Sequence, residues 1–186
     1  MSHAAGEKVP FTFADYLALP DDGRRYQVIE GELVEMYAPA LRHQRLLGEL
    51  FVLLHGHVNQ GPGGLLLFAP FDVVLEDTNV FQPDLLYVAP EHADRVTEKR
   101  GVGPPDLVVE VLSDGSRGHD RVRKMRVYAR RGVSWYWIVD PDTESLEEFQ
   151  LDGGRYRQVT IADRSDVFRP GLFPGLEVPL AALFAG

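Results

Sequence analysis

The chain contains no cysteine. Disulfide bridges and zinc–thiolate centres are therefore excluded, and a reducing compartment, the cytoplasm, is the expected location. Long apolar runs are missing too: no stretch reaches the ~18 residues that a membrane-spanning helix requires. Residues 1–10 lack the basic-then-apolar order of a secretory leader, so no membrane partner is expected. Positive charge is in deficit, with 19 Lys and Arg against 28 Asp and Glu and a net charge of -9. That balance opposes broad, nonspecific adhesion to nucleic acid, which needs a basic surface to neutralise phosphates. The chain has no internal repeat, no low-complexity linker, no Walker loop, no Gly-x-Gly-x-x-Gly and no His-Glu-x-x-His. Ser113 lies near Asp114, Ser116, His119 and Asp120, but Val111-Leu112 precede it in place of the glycine-flanked nucleophile elbow. Serine-nucleophile chemistry is set aside on that ground.

What is present describes an ordinary packed domain. The 186 residues are 45% hydrophobic and 25% charged, which suits one globular unit over residues 11–186 behind a flexible tail at 1–10. The patterning predicts a short helix at Phe13–Leu19 and a hairpin of Arg25–Ile29 with Glu32–Tyr37 about Glu30-Gly31. A long helix is expected over Leu41–Val58, where Leu46, Leu47, Leu50, Leu53 and Leu54 make an apolar stripe. Strands are expected at Leu65–Phe68, Phe71–Leu75, Asp84–Val88, Leu107–Leu112 and Trp135–Val139. A second helix spans roughly His119–Arg131 and is capped by Gly132. A C-terminal hairpin joins Leu146–Leu151 to Tyr156–Ile161 about Asp152-Gly153-Gly154, and irregular chain with a short last helix follows. The order implies an α/β protein with a central mixed sheet flanked by helices, carrying an N-terminal and a C-terminal hairpin.

One charge stands out. Glu110 interrupts the aliphatic strand Leu107-Val108-Val109-Glu110-Val111-Leu112. Burying a lone carboxylate costs several kcal/mol, so the strand needs a reason to keep it. An ion pair with an arginine is one reason, and a bound cation is the other. Asp84 is the natural partner for the second. It follows Pro83 at the mouth of the strand Leu85–Val88, 26 residues before Glu110. Two carboxylates on neighbouring strands repel unless a cation lies between them, and an oxygen-rich site suits Mg²⁺ or Mn²⁺.

These residues, taken together, resemble a known family. Gln82-Pro83-Asp84, the run Pro105–Ser113, Asp120, Lys124, Tyr128, Gly132-Val133 and the run Tyr136–Pro141 are similar to the Uma-type, restriction-endonuclease-like family. That family is a bacterial branch of the PD-(D/E)XK nuclease superfamily. Tyr26–Met36 with Gly31, His43-Gln44, Ala69-Pro70 and Asp72-Val73 agree with it as well, so the likeness spans roughly residues 13–184. It implies a PD-(D/E)XK core in which Asp84 and Glu110 are the acidic pair. The superfamily pattern places a lysine two residues after the second acid, and this chain has Leu112 there. In the Uma-type branch a lysine of the following helix stands in, which here is Lys124.

The function so implied is Mg²⁺-dependent endonucleolytic hydrolysis of phosphodiester bonds, with DNA as the expected substrate. Asp84, Glu110 and Lys124 are the expected catalytic set. Asp84, Glu110 and the carbonyl of Val111 are the expected metal ligands. His43, Asp72 and Gln82 are candidates for the groups behind them, although a capping or packed histidine is the plainer reading of His43. Lys124 could instead form an i,i+4 helix pair with Asp120. Arg117, Arg121 and Arg123 are candidates for phosphate contacts. Glu30, at the hairpin turn, is expected to be solvated. A homodimer is compatible with duplex cleavage. The competing reading is a non-catalytic nuclease-fold protein that binds nucleic acid or a protein partner, which the acidic total charge and Leu112 favour.

Overall fold

The computed structural model describes residues 9–113 and 118–185, without the side chains of residues 119 and 120. The expected tail up to residue 8, the phosphate contact assigned to Arg117 and the Asp120–Lys124 helix pair lie outside the described residues.

A capping box starts the first helix, α1 (Phe13–Leu17): Thr12 Oγ1 accepts from the Asp15 amide, and the Asp15 carboxylate accepts from the Thr12 amide. β1 (Arg25–Ile29) and β2 (Glu32–Met36) form the expected hairpin. Its two turn residues, Glu30 and Gly31, both have positive φ (52° and 74°), as a tight primed turn requires. α2 (Leu41–Gln60) runs two residues past the expected end. β3 (Leu65–Phe68), β4 (Val73–Glu76), β5 (Asn79–Phe81) and β6 (Leu85–Val88) follow, then a 3₁₀ turn at Pro90–Arg95 and β7 (Gly101–Val102). After β8 (Leu107–Val111), the backbone of His119–Lys124 is π-helical and passes directly into α3 (Met125–Arg131). β9 (Trp135–Asp140), β10 (Ser145–Asp152) and β11 (Arg155–Asp163) come next, and then a small pair, β12 (Val167–Phe168) with β13 (Val178–Pro179), and α4 (Leu180–Leu183).

Apart from the small β12–β13 pair, the strands divide between two sheets where the sequence suggested one. The six-stranded sheet has the order β11-β10-β9-β8-β6-β3, and the five-stranded sheet has the order β2-β1-β5-β4-β7. The chain leaves the second sheet at Phe81 and enters the first at Leu85, so Gln82-Pro83-Asp84 is the crossing point. Proline suits that point because it has no amide to offer either ladder. β5, β7, β12 and β13 are two or three residues long, too short to show an alternating pattern in sequence.

The central strand β8 is buried on both faces. Its odd positions, Leu107, Val109 and Val111, pack with Leu46, Leu50, Leu54 and Val58 of α2 and with Phe168, Phe173 and Leu183 of the C-terminal segment. Each such aliphatic side chain contributes about 1.5–3 kcal/mol on burial, far more than helix propensity does. Its even positions, Val108 and Leu112, face the other way, into a core shared with Val127 and Tyr128 of α3 and with Ile29, Val73, Leu75 and Phe81 of the second sheet. Parity alone therefore sends Glu110 into the layer between α3 and the second sheet.

A second buried carboxylate went unrecognised in the sequence. Glu148 of β10 is almost fully buried and accepts from Trp137 Nε1 at 3.2 Å and from the Gly171 amide at 3.0 Å, pinning the C-terminal segment to the sheet. Its alternating, polar-looking strand gave no sign of burial. Burial holds its carboxyl above the usual carboxylate range, although hydrogen bonds from Gly171, Trp137 and Thr160 pull it down. The native state thus keeps a proton that the unfolded chain releases at lower pH. Stability from this group is fully present below the unfolded pKa and declines as pH rises through the folded one. Glu148→Gln should flatten that part of the stability–pH curve, measured by urea unfolding at closely spaced pH values. An unchanged slope would contradict the assignment.

Candidate active site

The site begins with register. β6 and β8 are antiparallel, pairing Leu85 with Val109, Leu86 with Val108 and Tyr87 with Leu107. One further step in the same register sets Asp84 opposite Glu110. The Asp84 Oδ2 atom accepts from the Val111 amide at 2.8 Å, which extends the ladder with a side chain in place of a carbonyl. The same oxygen lies 3.0 Å from His43 Nε2. His43 sits on the buried face of α2, one turn before Leu46 and Leu47, so helix packing fixes the ring that steadies Asp84. The second oxygen, Oδ1, accepts no hydrogen bond from the described residues. It is the atom left for an incoming ligand.

Glu110 is held from the opposite side. Its Oε1 accepts from Lys124 Nζ at 3.0 Å and from the Tyr128 hydroxyl at 2.9 Å. The Glu110 and Lys124 side chains are each 3% exposed. Lys124 and Tyr128 are four residues apart and so share one helix face. Lys124 closes the π-helical segment, and such insertions re-aim side chains locally and recur at functional sites. Tyr128 is wedged in place by edge-on contact with Phe81, at 5.1 Å between ring centres. An ion pair does hold Glu110, the alternative to a bound cation, but its partner is a lysine and not an arginine. That choice is pointed in a chain whose 19 basic residues include just three lysines, Lys8, Lys99 and Lys124. The scarcity of lysine was a signal available from the sequence.

The donor set suits a hard divalent ion. Two carboxylates and a main-chain carbonyl at Val111 are all oxygen donors, the type preferred by Mg²⁺ and Mn²⁺ over softer metals. Among the described residues, no group of three or more His, Asp or Glu side chains is arranged to bind a metal. A cation here would draw on the main chain as well as on the acidic pair.

Other candidate residues are placed elsewhere. Asp72 and Gln82 lie on the outer face of the second sheet, where Asp72 Oδ1 accepts from the Tyr16 hydroxyl and from Gln82 Nε2, each at 2.9 Å. Burial and the Asp72 charge push the Tyr16 hydroxyl up to about 12, so it remains a donor at neutral pH. This triad fastens α1 to the strand end that leads into Pro83-Asp84. It supports the crossing point, and none of these hydrogen bonds involves Asp84 or Glu110.

The arginines are engaged with carboxylates. Arg121 meets Glu147 at 2.7 Å and Asp140 at 3.4 Å. Arg123 meets Glu32 at 2.8 Å and donates to the Ile29 carbonyl at 2.8 Å. Glu30, expected to be solvated, accepts from Arg126 Nη2 through both carboxylate oxygens, at 2.9 and 2.7 Å. Arg130 meets Glu76 at 3.0 Å. Arg123, Arg126 and Arg130 clamp the helix to the second sheet and Arg121 ties it to β9 and β10 of the first, and each exposed pair is worth at most about 1 kcal/mol.

The buried pair can be tested by stability alone. Lys124→Met strands a buried glutamate and should cost roughly 3–5 kcal/mol. Adding Glu110→Gln to that variant should restore much of the loss. Urea unfolding of the single and double variants checks this, and additive losses would contradict it.

Comparison with known proteins bears on the family and the fold. The Uma2 family, described as "Putative restriction endonuclease", matches residues 13–181. The uncharacterised protein sll1609 of Synechocystis sp. (strain ATCC 27184 / PCC 6803 / Kazusa) is 25% identical over 146 residues, which cover 77% of this chain and 82% of that protein. A crystal structure described as that of a putative nuclease belonging to DUF820, from Anabaena variabilis ATCC 29413, aligns with a TM-score of 0.78 at 17% identity. The alignment covers 95% of this chain and 98% of that one, a likeness of fold. With its two carboxylates at adjoining strand positions and a family match running from residue 13 to residue 181, this chain belongs to the Uma2 family of putative restriction endonucleases and has the restriction-endonuclease-like α/β fold.

Proposed function

We propose that the protein is a metal-dependent endonuclease that hydrolyses phosphodiester bonds in DNA, with Mg²⁺ or Mn²⁺ held by Asp84, Glu110 and the Val111 carbonyl. The observation that carries this reading is Asp84 set opposite Glu110, one register step beyond the Leu85–Val109 pair of β6 and β8, with one Asp84 oxygen accepting no hydrogen bond from the described residues. A bound divalent ion supplies Lewis-acid polarisation of a phosphoryl oxygen and a water of lowered pKa. The residues of the chain prepare for that chemistry. His43 and the Val111 amide fix the Asp84 carboxylate in one orientation. Tyr128 and Lys124 do the same for Glu110, and the Lys124 ammonium sets a fixed positive charge beside the acidic pair, where it offsets negative charge developing on a phosphate. Preorganised groups of this kind need no reorientation during the reaction.

The second reading, a nuclease fold that binds without cutting, is favoured by one observation. Arg121 and Arg123 are matched by acidic side chains, so a phosphate would have to displace Glu147 or Glu32 to reach them. Metal binding separates the two readings. Millimolar Mg²⁺ or Mn²⁺ should raise the melting temperature of the parent protein by mass action. Asp84→Asn should abolish both that shift and cleavage of a DNA substrate while leaving the metal-free melting temperature within a few degrees. A parent protein indifferent to both metals would support the non-catalytic reading.

A further inference from the structure

Gln27 is a buried polar residue of β1. It is 5% exposed, its side-chain oxygen is fully buried, and no described residue donates a hydrogen bond to that oxygen. Leaving an amide oxygen unmet inside a protein costs about 1–3 kcal/mol, and such atoms call for a water, an ion or a ligand. Strand parity gives its direction. Val28 pairs with Val80, so the same register puts Gln27 across from Phe81. Ile29, on the same face of β1, lies with Phe81 in the core layer shared with Tyr128. Phe81 contacts Tyr128, and Tyr128 donates to Glu110. Phe81 is also three residues before Asp84. Gln27 therefore faces the interior that receives Glu110, at the strand end from which the chain crosses to Asp84. Gln82 has a buried, unmet oxygen as well, but its amide nitrogen is bonded to Asp72 on the opposite face of that sheet.

We propose that the Gln27 side-chain oxygen is a further ligand of the divalent cation held by Asp84 and Glu110. The inference rests on the metal-site reading above and deepens it. An uncharged amide oxygen is a hard donor of the kind that divalent Mg²⁺, Mn²⁺ and Ca²⁺ accept alongside carboxylates. It adds an oxygen to the acidic pair without adding a third negative charge to a buried site.

The test is calorimetric titration of the full chain with MnCl₂, with thermal unfolding in the presence and absence of Mn²⁺. Gln27→Met, which keeps the length and removes the oxygen, should weaken Mn²⁺ binding about tenfold, the scale on which supporting groups tune metal affinity. Its metal-free melting temperature should equal or exceed that of the parent, because the unmet oxygen is gone. A merely structural glutamine predicts the opposite pattern, a lower metal-free melting temperature and unaltered affinity. Gln27→Glu should tighten Mn²⁺ binding, and it carries the test if the methionine variant does not fold. Parent-like affinity in Gln27→Met, or no tightening in Gln27→Glu, would overturn the proposal. Loss of binding in Asp84→Asn with parent-like binding in Gln27→Met overturns the role of Gln27 alone. A parent protein that binds no Mn²⁺ overturns the metal site and this inference together.

Discussion

The buried pair between Glu110 and Lys124 is the interaction on which the rest of the structure turns. A charged carboxylate in the middle of a fully buried strand is costly unless a positive charge reaches it, and Lys124 does so at 3.0 Å. The topology delivers that lysine. In the six-stranded sheet the described pairings are antiparallel except for β8 with β9. A parallel pair needs a crossover connection, and this crossover contains the π-helical segment and α3, which bring Lys124 and Tyr128 over Glu110. The acidic pair thus lies at the carboxyl end of β8, where α/β sheets ordinarily bind their ligands. One connection satisfies the strand order and the buried charge together.

The distribution of charge follows the same logic. An acidic chain with a concentrated arginine run suggests a local strip for phosphates, but among the described residues Arg121, Arg123, Arg126 and Arg130 are matched with Glu147, Glu32, Glu30 and Glu76. The carboxylates sit at the turns of the second sheet or on the neighbouring strand, and the arginines fasten the helix to them. Among the described residues, the site therefore brings together one deeply buried positive charge, from Lys124, and the carboxylates of Asp84 and Glu110.

Much of this was legible in sequence because its signals were local. Glu110 announced itself by interrupting five aliphatic residues, the α2 stripe by its helical spacing, and the α3 terminus by Gly132, which has a positive φ of 86°. What sequence could not give depended on contacts between distant segments. The division into two sheets follows from the crossing at Pro83, and no periodicity marks strands of two or three residues. Glu148 lies in a strand that reads as half-exposed until the C-terminal segment covers it. The partners of Arg121 and Arg123 come from residues far along the chain, and the same holds for the placement of Asp72 and Gln82 with Tyr16 on the outer face. Gln27 carries no local signal in the hairpin sequence, and its facing follows from the register of β1 against β5.

The central claim is that Asp84, Glu110 and the Val111 carbonyl form a divalent-metal site. Crystals soaked in Mn²⁺ and measured at the manganese absorption edge test it directly. The account predicts one strong anomalous peak within coordination distance of Asp84 Oδ1, a Glu110 oxygen and the Val111 carbonyl, with Lys124 still beside Glu110. A map with no peak there, or with manganese bound only at surface carboxylates, would contradict it.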